Sequence, residues 1–204
     1  MVRKGERTRA DIVRRSAELM NREGFLAVPL SAVIAATGIQ KGGLYRHFES
    51  REALAYAALD HAVGEVRDRL LRAVKSRDNA CDRLLALLDA YGDEPQDLPL
   101  PGGCPIMNSA IEADHAHAGL RERARSAMSA WQALLVHIVE TGLRAGEVRA
   151  GTDPRQVASV FIAGIEGAVM LTQLHGDAAP WQAMRRHLQA HVEQALRPPV
   201  GGTA

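Results

Sequence analysis

The sequence is short of the features that mark many other classes of protein. Two cysteines in 204 residues, Cys81 and Cys104, do not make a disulfide framework, which fits a reducing cytoplasm. No apolar run reaches the length of a membrane span, and the charged N-terminus MVRKGERTRAD is not followed by the apolar core of a signal peptide. The expectation is a soluble, cytoplasmic protein with no membrane partner. Strand-like alternation and internal repeats do not stand out. No G-x-S-x-G, H-E-x-x-H, P-loop or dinucleotide fingerprint occurs, so nothing supports an enzyme or implies a cofactor. Metal ligation has little behind it either. In Glu112-Ala113-Asp114-His115-Ala116-His117 the two histidines would diverge on a helix, and His187 and His191, correctly spaced one turn apart, supply only two ligands.

Net charge is also small, at +1, but it is unevenly spread. Residues 1–51 carry ten Lys/Arg against five Asp/Glu, a net of +5, and the other 153 carry fifteen against nineteen, a net of −4. A basic end on an otherwise acidic chain suits a protein that touches DNA at one end and keeps the other away. With 47% hydrophobic residues the chain is long enough to bury a real core in one or two small domains.

The basic end contains GFLAVPLSAVIAATGIQKGGLYRHF, residues 24–48. Two apolar-periodic segments, 29–37 and 41–48, flank Gly38-Ile39-Gln40, the length and chemistry of the turn in a helix-turn-helix. Val33, Ile34, Ile39, Leu44 and Phe48 supply an apolar group on each turn, and Gly38 supplies a left-handed end to the first helix. The second helix is left with Lys41, Gly42, Gly43, Tyr45, Arg46 and His47. Lysine and arginine neutralise phosphates, Tyr45 and His47 offer hydrogen bonds to phosphate oxygens, and two glycines leave no side chain to hold the backbone off DNA. Each glycine costs a helix about 1 kcal/mol relative to alanine, so the pair calls for a steric reason. An ordinary helical hairpin with a solvated basic face would explain neither the pair nor the clustered charge.

KGGLYRHF preceded by ATGIQ, after a helix ending in Arg22-Glu23-Gly24-Phe25, resembles the DNA-binding domain of the TetR/AcrR family of one-component bacterial regulators. The likeness is dense over the first quarter of the chain and architectural beyond it. It implies an all-α homodimer: an N-terminal three-helix helix-turn-helix domain over 1–50, joined by a connector helix at 51–75 to a helical ligand-sensing and dimerisation domain over 51–197, with a mobile tail at 198–204. The partners implied are a double-stranded operator with an inverted repeat, a second copy of the chain and a small-molecule ligand. By position, Lys41 begins the recognition helix, Tyr45 and His47 match phosphate-contacting positions, and Arg51 stands where a phosphate-contacting lysine is common. The chain departs from the pattern at Val28, where the family usually has threonine; valine neither caps a helix nor reaches a phosphate, although Pro29 suits a first helical position.

The remaining helices follow from caps and periodicity. A basic arm (Arg3, Lys4, Arg7, Arg9) leads into a helix at 8–22, and Ser50 is placed to cap a long helix over 51–75. A shorter one is expected at 78–91. Residues 92–103, with three prolines and three glycines in twelve, form a loop. Helices then follow at 104–114, 119–145, 154–174 with Asp153 as N-cap, Pro154 at its first position and Gln156 placed for a capping box, and from 180 to just before Pro198. Val160, Phe161, Ile162, Ile165, Val169, Met170 and Leu171 are too many for one core-facing stripe. Part of that surface, together with the last helix, is read as a self-paired four-helix dimer contact with Gly164, Gly167, Ala168 and Leu171 at the interface, the alternative being a thicker core within one chain.

A ligand pocket would draw on Met107, Asn108, Ile111, Trp131, Leu134, His137, Phe161 and Glu166, mostly apolar with a few orienting polar groups. Cys104, between Gly102-Gly103 and Pro105 at a helix start, is read either as an activated thiol that senses oxidants or electrophiles or as a small residue lining the pocket. The sequence is therefore read as a DNA-binding transcriptional regulator, a repressor released by a small molecule. The alternatives are a thiol-switched regulator and, from a different class, a helical enzyme or ligand carrier that retains a helix-turn-helix.

Overall fold

The computed structural model describes residues 4–92, 100–113 and 117–199. Among these, all regular structure is helical, as expected. The elements are α1 Lys4–Glu23, α2 Leu30–Thr37, α3 Lys41–Leu44, α4 Arg51–Lys75, α5 Ala80–Ala90, α6 Pro105–Ala113, α7 Ala118–Ala145, α8 Pro154–His175 and α9 Ala179–His191, closed by a π-helical turn, Val192–Leu196.

Local chemistry explains most boundaries. Gly38, at φ 70°, ends α2 by donating its amide to Ile34 O at 2.8 Å. Ser50 Oγ accepts from Ala53 N at 3.0 Å and caps α4. Asn79 caps α5, which starts two residues later than the periodicity suggested, and Glu147 Oε2 takes the Ala80 amide at 2.8 Å. Asp153 caps α8 by accepting from Arg155 N at 2.8 Å and Gln156 N at 3.3 Å, with Pro154 in the first turn. Two expectations change. From Lys4 the basic arm is already helical, with Thr8 Oγ1 donating back to Lys4 O, so α1 is longer than 8–22. Pro29 is the N-cap of α2 rather than its first residue. Most of the 92–103 loop, the His115 position and the tail beyond Pro199 lie outside the described residues.

By contacts the chain forms two compact units: Met1–Val66 with Pro99–Ala127, and Arg67–Leu98 with Met128–Ala204. In the first, Ile12, Met20, Phe25, Val33, Leu44 and Phe48 share one core with Leu54 and Leu59 of α4, and with Leu100, Ala113 and Leu120 from later in the chain. The boundary at residue 50 is thus not the boundary of a core, because residues from 100 onward complete it.

The second unit is organised round Trp181, which is fully buried. Its amide donates to Thr172 Oγ1 at 3.2 Å, its Nε1 to Gly92 O at 3.1 Å, and its ring lies 5.3 Å from that of Tyr91. Arg197 closes the same unit by donating to Asp82 at 2.7 Å and Glu193 at 2.7 Å, and these two carboxylates hold its guanidinium above the ordinary arginine range. Trp181→Ala should lower stability by about 3–5 kcal/mol. Trp181→Phe, which keeps a ring against Tyr91 and loses the Nε1 hydrogen bond, should cost distinctly less. Denaturant midpoints followed by circular dichroism give the comparison, and equal midpoints for the two variants would show that the indole nitrogen, not the buried ring, holds the unit.

Candidate nucleic-acid interface

The helix-turn-helix is built on a very short second helix. α3 has four residues and continues as a tight turn through 45–47, with Tyr45 N on Lys41 O and both His47 N and Phe48 N on Leu44 O. This differs from the eight-residue helix expected over 41–48. Two adjacent glycines weaken the helix, and the chain turns so that Leu44 and Phe48 both reach the core, where they are 0% and 4% exposed. The guanidinium of Arg9 lies over the Phe48 ring at 4.9 Å, so the first helix covers the end of the turn. Val33 is buried and Ile34 and Ile39 are half-buried, completing the apolar side.

The opposite side carries the residues singled out in the sequence. Lys41, Gly42, Tyr45 and Arg46 are exposed, while Gly43 and His47 are half-buried. The two glycines differ. A Cβ on Gly42 would meet nothing within 4 Å, so this position is open to whatever approaches the helix; a Cβ on Gly43 would lie 2.9 Å from Ile39 Cγ2. Gly43 is therefore explained by packing inside the motif, and only Gly42 keeps the steric reading given to the pair. Val28 is 1% exposed and belongs to the core, which accounts for an apolar residue there.

Arg51 is placed differently from a phosphate ligand. Its Nη2 donates to the carbonyl oxygens of Leu26 and Val28, which ties the start of α4 to the loop between α1 and α2. Glu112, read from the sequence only as part of a weak metal cluster, approaches the same loop from α6. Its carboxylate accepts from Phe25 N at 2.6 Å, Leu26 N at 2.7 Å and Ala27 N at 2.9 Å. One turn earlier, Asn108 donates to Gly102 O at 2.7 Å and to Asn21 O at 3.1 Å, while Asn21 donates to Pro101 O and Gly103 O, each at 3.0 Å. Asn108 is thus a structural clasp rather than a pocket group. No local pattern announces the contacts of Glu112 with the loop or of Asn108 with Asn21, whose partners lie 85 to 87 residues apart.

The pocket candidates divide between the units. In the first, Cys104 is buried just before α6, Met107 is half-buried, and Ile111 is 71% exposed. In the second, Trp131, Phe161 and Glu166 are buried, Leu134 is half-buried and His137 is exposed. Exposure of Ile111 and His137 argues against their lining an enclosed site. Cys81 is buried at the start of α5, where its Sγ donates to Glu147 O at 3.4 Å and burial pushes the thiol above its ordinary pKa. Among the described residues no three His, Cys, Asp or Glu side chains gather as a metal site would require.

The four interface candidates also separate. A Cβ on Gly164 would touch Met184 and Leu188 of α9, so this glycine serves the α8–α9 contact, and Ala168 is buried. Gly167 faces open space and Leu171 is exposed. Leu171 forms an exposed stripe with Val160, Ala163, Met170 and Leu174 within an arc of about 100° on α8, in which Gly167 is half-buried. The expectation that no apolar run reaches the length of a membrane span does not hold for α8, which is long and apolar enough by composition to cross one; its two apolar faces, one buried and one exposed, account for that composition.

Residues 12–58 match the family described as bacterial regulatory proteins, tetR family, and residues 80–188 match the tetracyclin repressor-like C-terminal domain. A TetR transcriptional regulator from Chloroflexus aurantiacus J-10-FL is 39% identical, covers 97% of this chain and 100% of its own, and superposes with a TM-score of 0.92. A TetR-family regulator from Cytophaga hutchinsonii is 32% identical over 98% of this chain and 99% of its own, with a TM-score of 0.90. Among curated relatives, the transcriptional repressor NemR of Escherichia coli K12 is 25% identical over 95% of this chain and 96% of its own. With both parts of the family's architecture matched and a helix-turn-helix turned outward on its basic side, the chain belongs to the TetR family of DNA-binding transcriptional regulators, which bind operator DNA as dimers and respond to ligands.

Proposed function

We propose that this regulator is a cytoplasmic, non-enzymatic repressor that holds an inverted-repeat operator as a homodimer and leaves it when a small molecule binds among its C-terminal helices. In this reading residues 1–50 read DNA and residues 51–197 sense and dimerise. The observation that carries it is the sidedness of α3 and its turn: Leu44 and Phe48 are buried while Lys41, Gly42, Tyr45 and Arg46 face outward. Lys41, Tyr45, Arg46 and His47 are assigned to the DNA backbone and Gly42 to close approach, with Arg51 assigned to loop support instead. Dimerisation is assigned to the exposed stripe of α8 around Gly167 and Leu171. Val160, Met170 and Leu174 are large apolar groups that water would otherwise cover. Burial of Cys104 favours reversible ligand binding over a thiol switch, since a sensor thiol needs access.

Duplexes selected by the wild type from a random library provide the operator for testing. Lys41→Ala and Tyr45→Phe should weaken selected and random duplexes alike, and Lys41→Ala should lower the slope of log affinity against log salt by about one per bound subunit. Unchanged slopes and affinities would remove both residues from the interface. Gly42→Ala should leave thermal stability equal or higher and still reduce operator affinity, because its Cβ meets no protein atom; Gly43→Ala should lose stability through Ile39. If Gly42→Ala binds as wild type, the helix does not approach DNA at that position.

Assembly has its own test. Gly167→Arg is sterically free within one chain, so the variant should fold, yet it sets a charge in the proposed apolar interface and should give monomers with collapsed operator affinity. An intact dimer by light scattering would move the interface elsewhere. Alkylation of the native protein at neutral pH should leave operator binding unchanged. Loss of binding that disappears in Cys104→Ser would instead establish the thiol switch.

A further inference from the structure

We infer that Glu112, from α6, is a positioning residue for operator recognition: its carboxylate fixes the loop from which the helix-turn-helix departs, and so sets how α2 and α3 are presented. The inference rests on the DNA-binding reading above and adds to it a residue far from the reading face in sequence.

The loop joins Gly24 to Pro29, and its direction fixes the entry of α2. Three successive amides, at 25, 26 and 27, converge on one carboxylate, with Oε2 taking Phe25 N and Oε1 taking both Leu26 N and Ala27 N. Converging amides of this sort form an anion-binding concavity, and bonds to an ionised acceptor are shorter and stronger than neutral ones. On its carbonyl side the same loop is held by the Arg51 guanidinium, through the oxygens of Leu26 and Val28. A full negative charge therefore orients the loop's donors and a full positive charge its acceptors.

Two glycines mark how closely α6 and its approach fit this region. A Cβ on Gly24, which already has φ 102°, would lie 2.9 Å from Glu112 Oε1; a Cβ on Gly102, also at φ 102°, would lie 2.7 Å from the backbone oxygen of Asn21. Asn108 and Glu112 are four residues apart and so share one face of α6. The first grips the end of α1 and the second the loop beyond it. α2 leaves that loop with Val33 packed in the same core as Leu44, so a change in the loop's path carries the α3 face with it.

A positioning role and a purely structural one differ in what they do to DNA binding. Random duplexes are bound through exposed cations, which Glu112 does not touch, whereas a selected operator also requires the face to be held at the right angle. Glu112→Gln keeps the shape and one acceptor oxygen but turns an amide NH2 toward a backbone donor. It should reduce operator affinity by about tenfold, with random-duplex affinity, salt slope and dimerisation unchanged. Glu112→Ala should lose more. Because the deleted atoms correspond to acetate, part of the loss should return when acetate replaces chloride at constant ionic strength, and neither the wild type nor Lys41→Ala should show that return.

The comparison uses the full-length protein and the same selected and random duplexes throughout. A wild type that selects no duplex overturns the regulator reading itself. A wild type that binds while Glu112→Gln keeps its ratio of operator to random affinity overturns only the role of Glu112, whether because both affinities are unchanged or because both fall together. If Glu112→Ala fails to fold, the Gln variant alone decides between these outcomes. Expected is a lowered ratio in a folded, dimeric Gln variant.

Discussion

A helix of one turn has no stability of its own, because nucleation costs more than its few hydrogen bonds return. The second helix of the helix-turn-helix is of this length, and it exists because Leu44 and Phe48 are held in a core made by other elements. The constraint explains the composition around it. Residues that favour helix are unnecessary where burial fixes the backbone, so positions 42 and 43 are free to be glycine, one for packing against Ile39 and one facing outward. Sidedness then follows from the short period. The residues of 41–48 that neither anchor the motif nor, like Gly43, pack within it are the candidates for contact.

The same economy of surface appears in α8. One side packs on α9 through Gly164, and an adjacent arc carries Val160, Leu171 and Leu174 into the open. Neighbouring positions on a helix are separated by about 100°, so small residues one apart in sequence serve different partners. A helix with two apolar faces is costly to leave exposed, which is why the dimer contact is proposed on it.

Much of the architecture was legible in the sequence because it is written in local chemistry. Gly38, Ser50 and Asp153 mark helix ends through bonds that span four residues or fewer, and the apolar period of residues 33–48 separates the packed side of the motif from its solvent side. What was not legible depends on distance. Arg51 and Glu112 are charged residues on helices, indistinguishable in sequence from solvated ones, and their assignments come from loop groups 23 to 87 residues away. Asn108 looked like a polar group for a pocket because nothing near it predicts Asn21. The length of α3 was misjudged for a related reason, since periodicity reports which residues are buried and not how the backbone carries them there.

The joining of α6 to the first three helices also bears on how such a regulator can be divided or recombined. A fragment ending after the first fifty or sixty residues would keep every residue of the reading face and lose Leu100, Ala113 and Leu120 from its core, together with the acceptor for the amides of Phe25, Leu26 and Ala27. The core that carries the proposed DNA-reading face is contiguous in space but not along the chain. Transplanting this specificity onto another sensor would therefore require the inner face of residues 100–113 to travel with the N-terminal helices, as a graft of two segments rather than one.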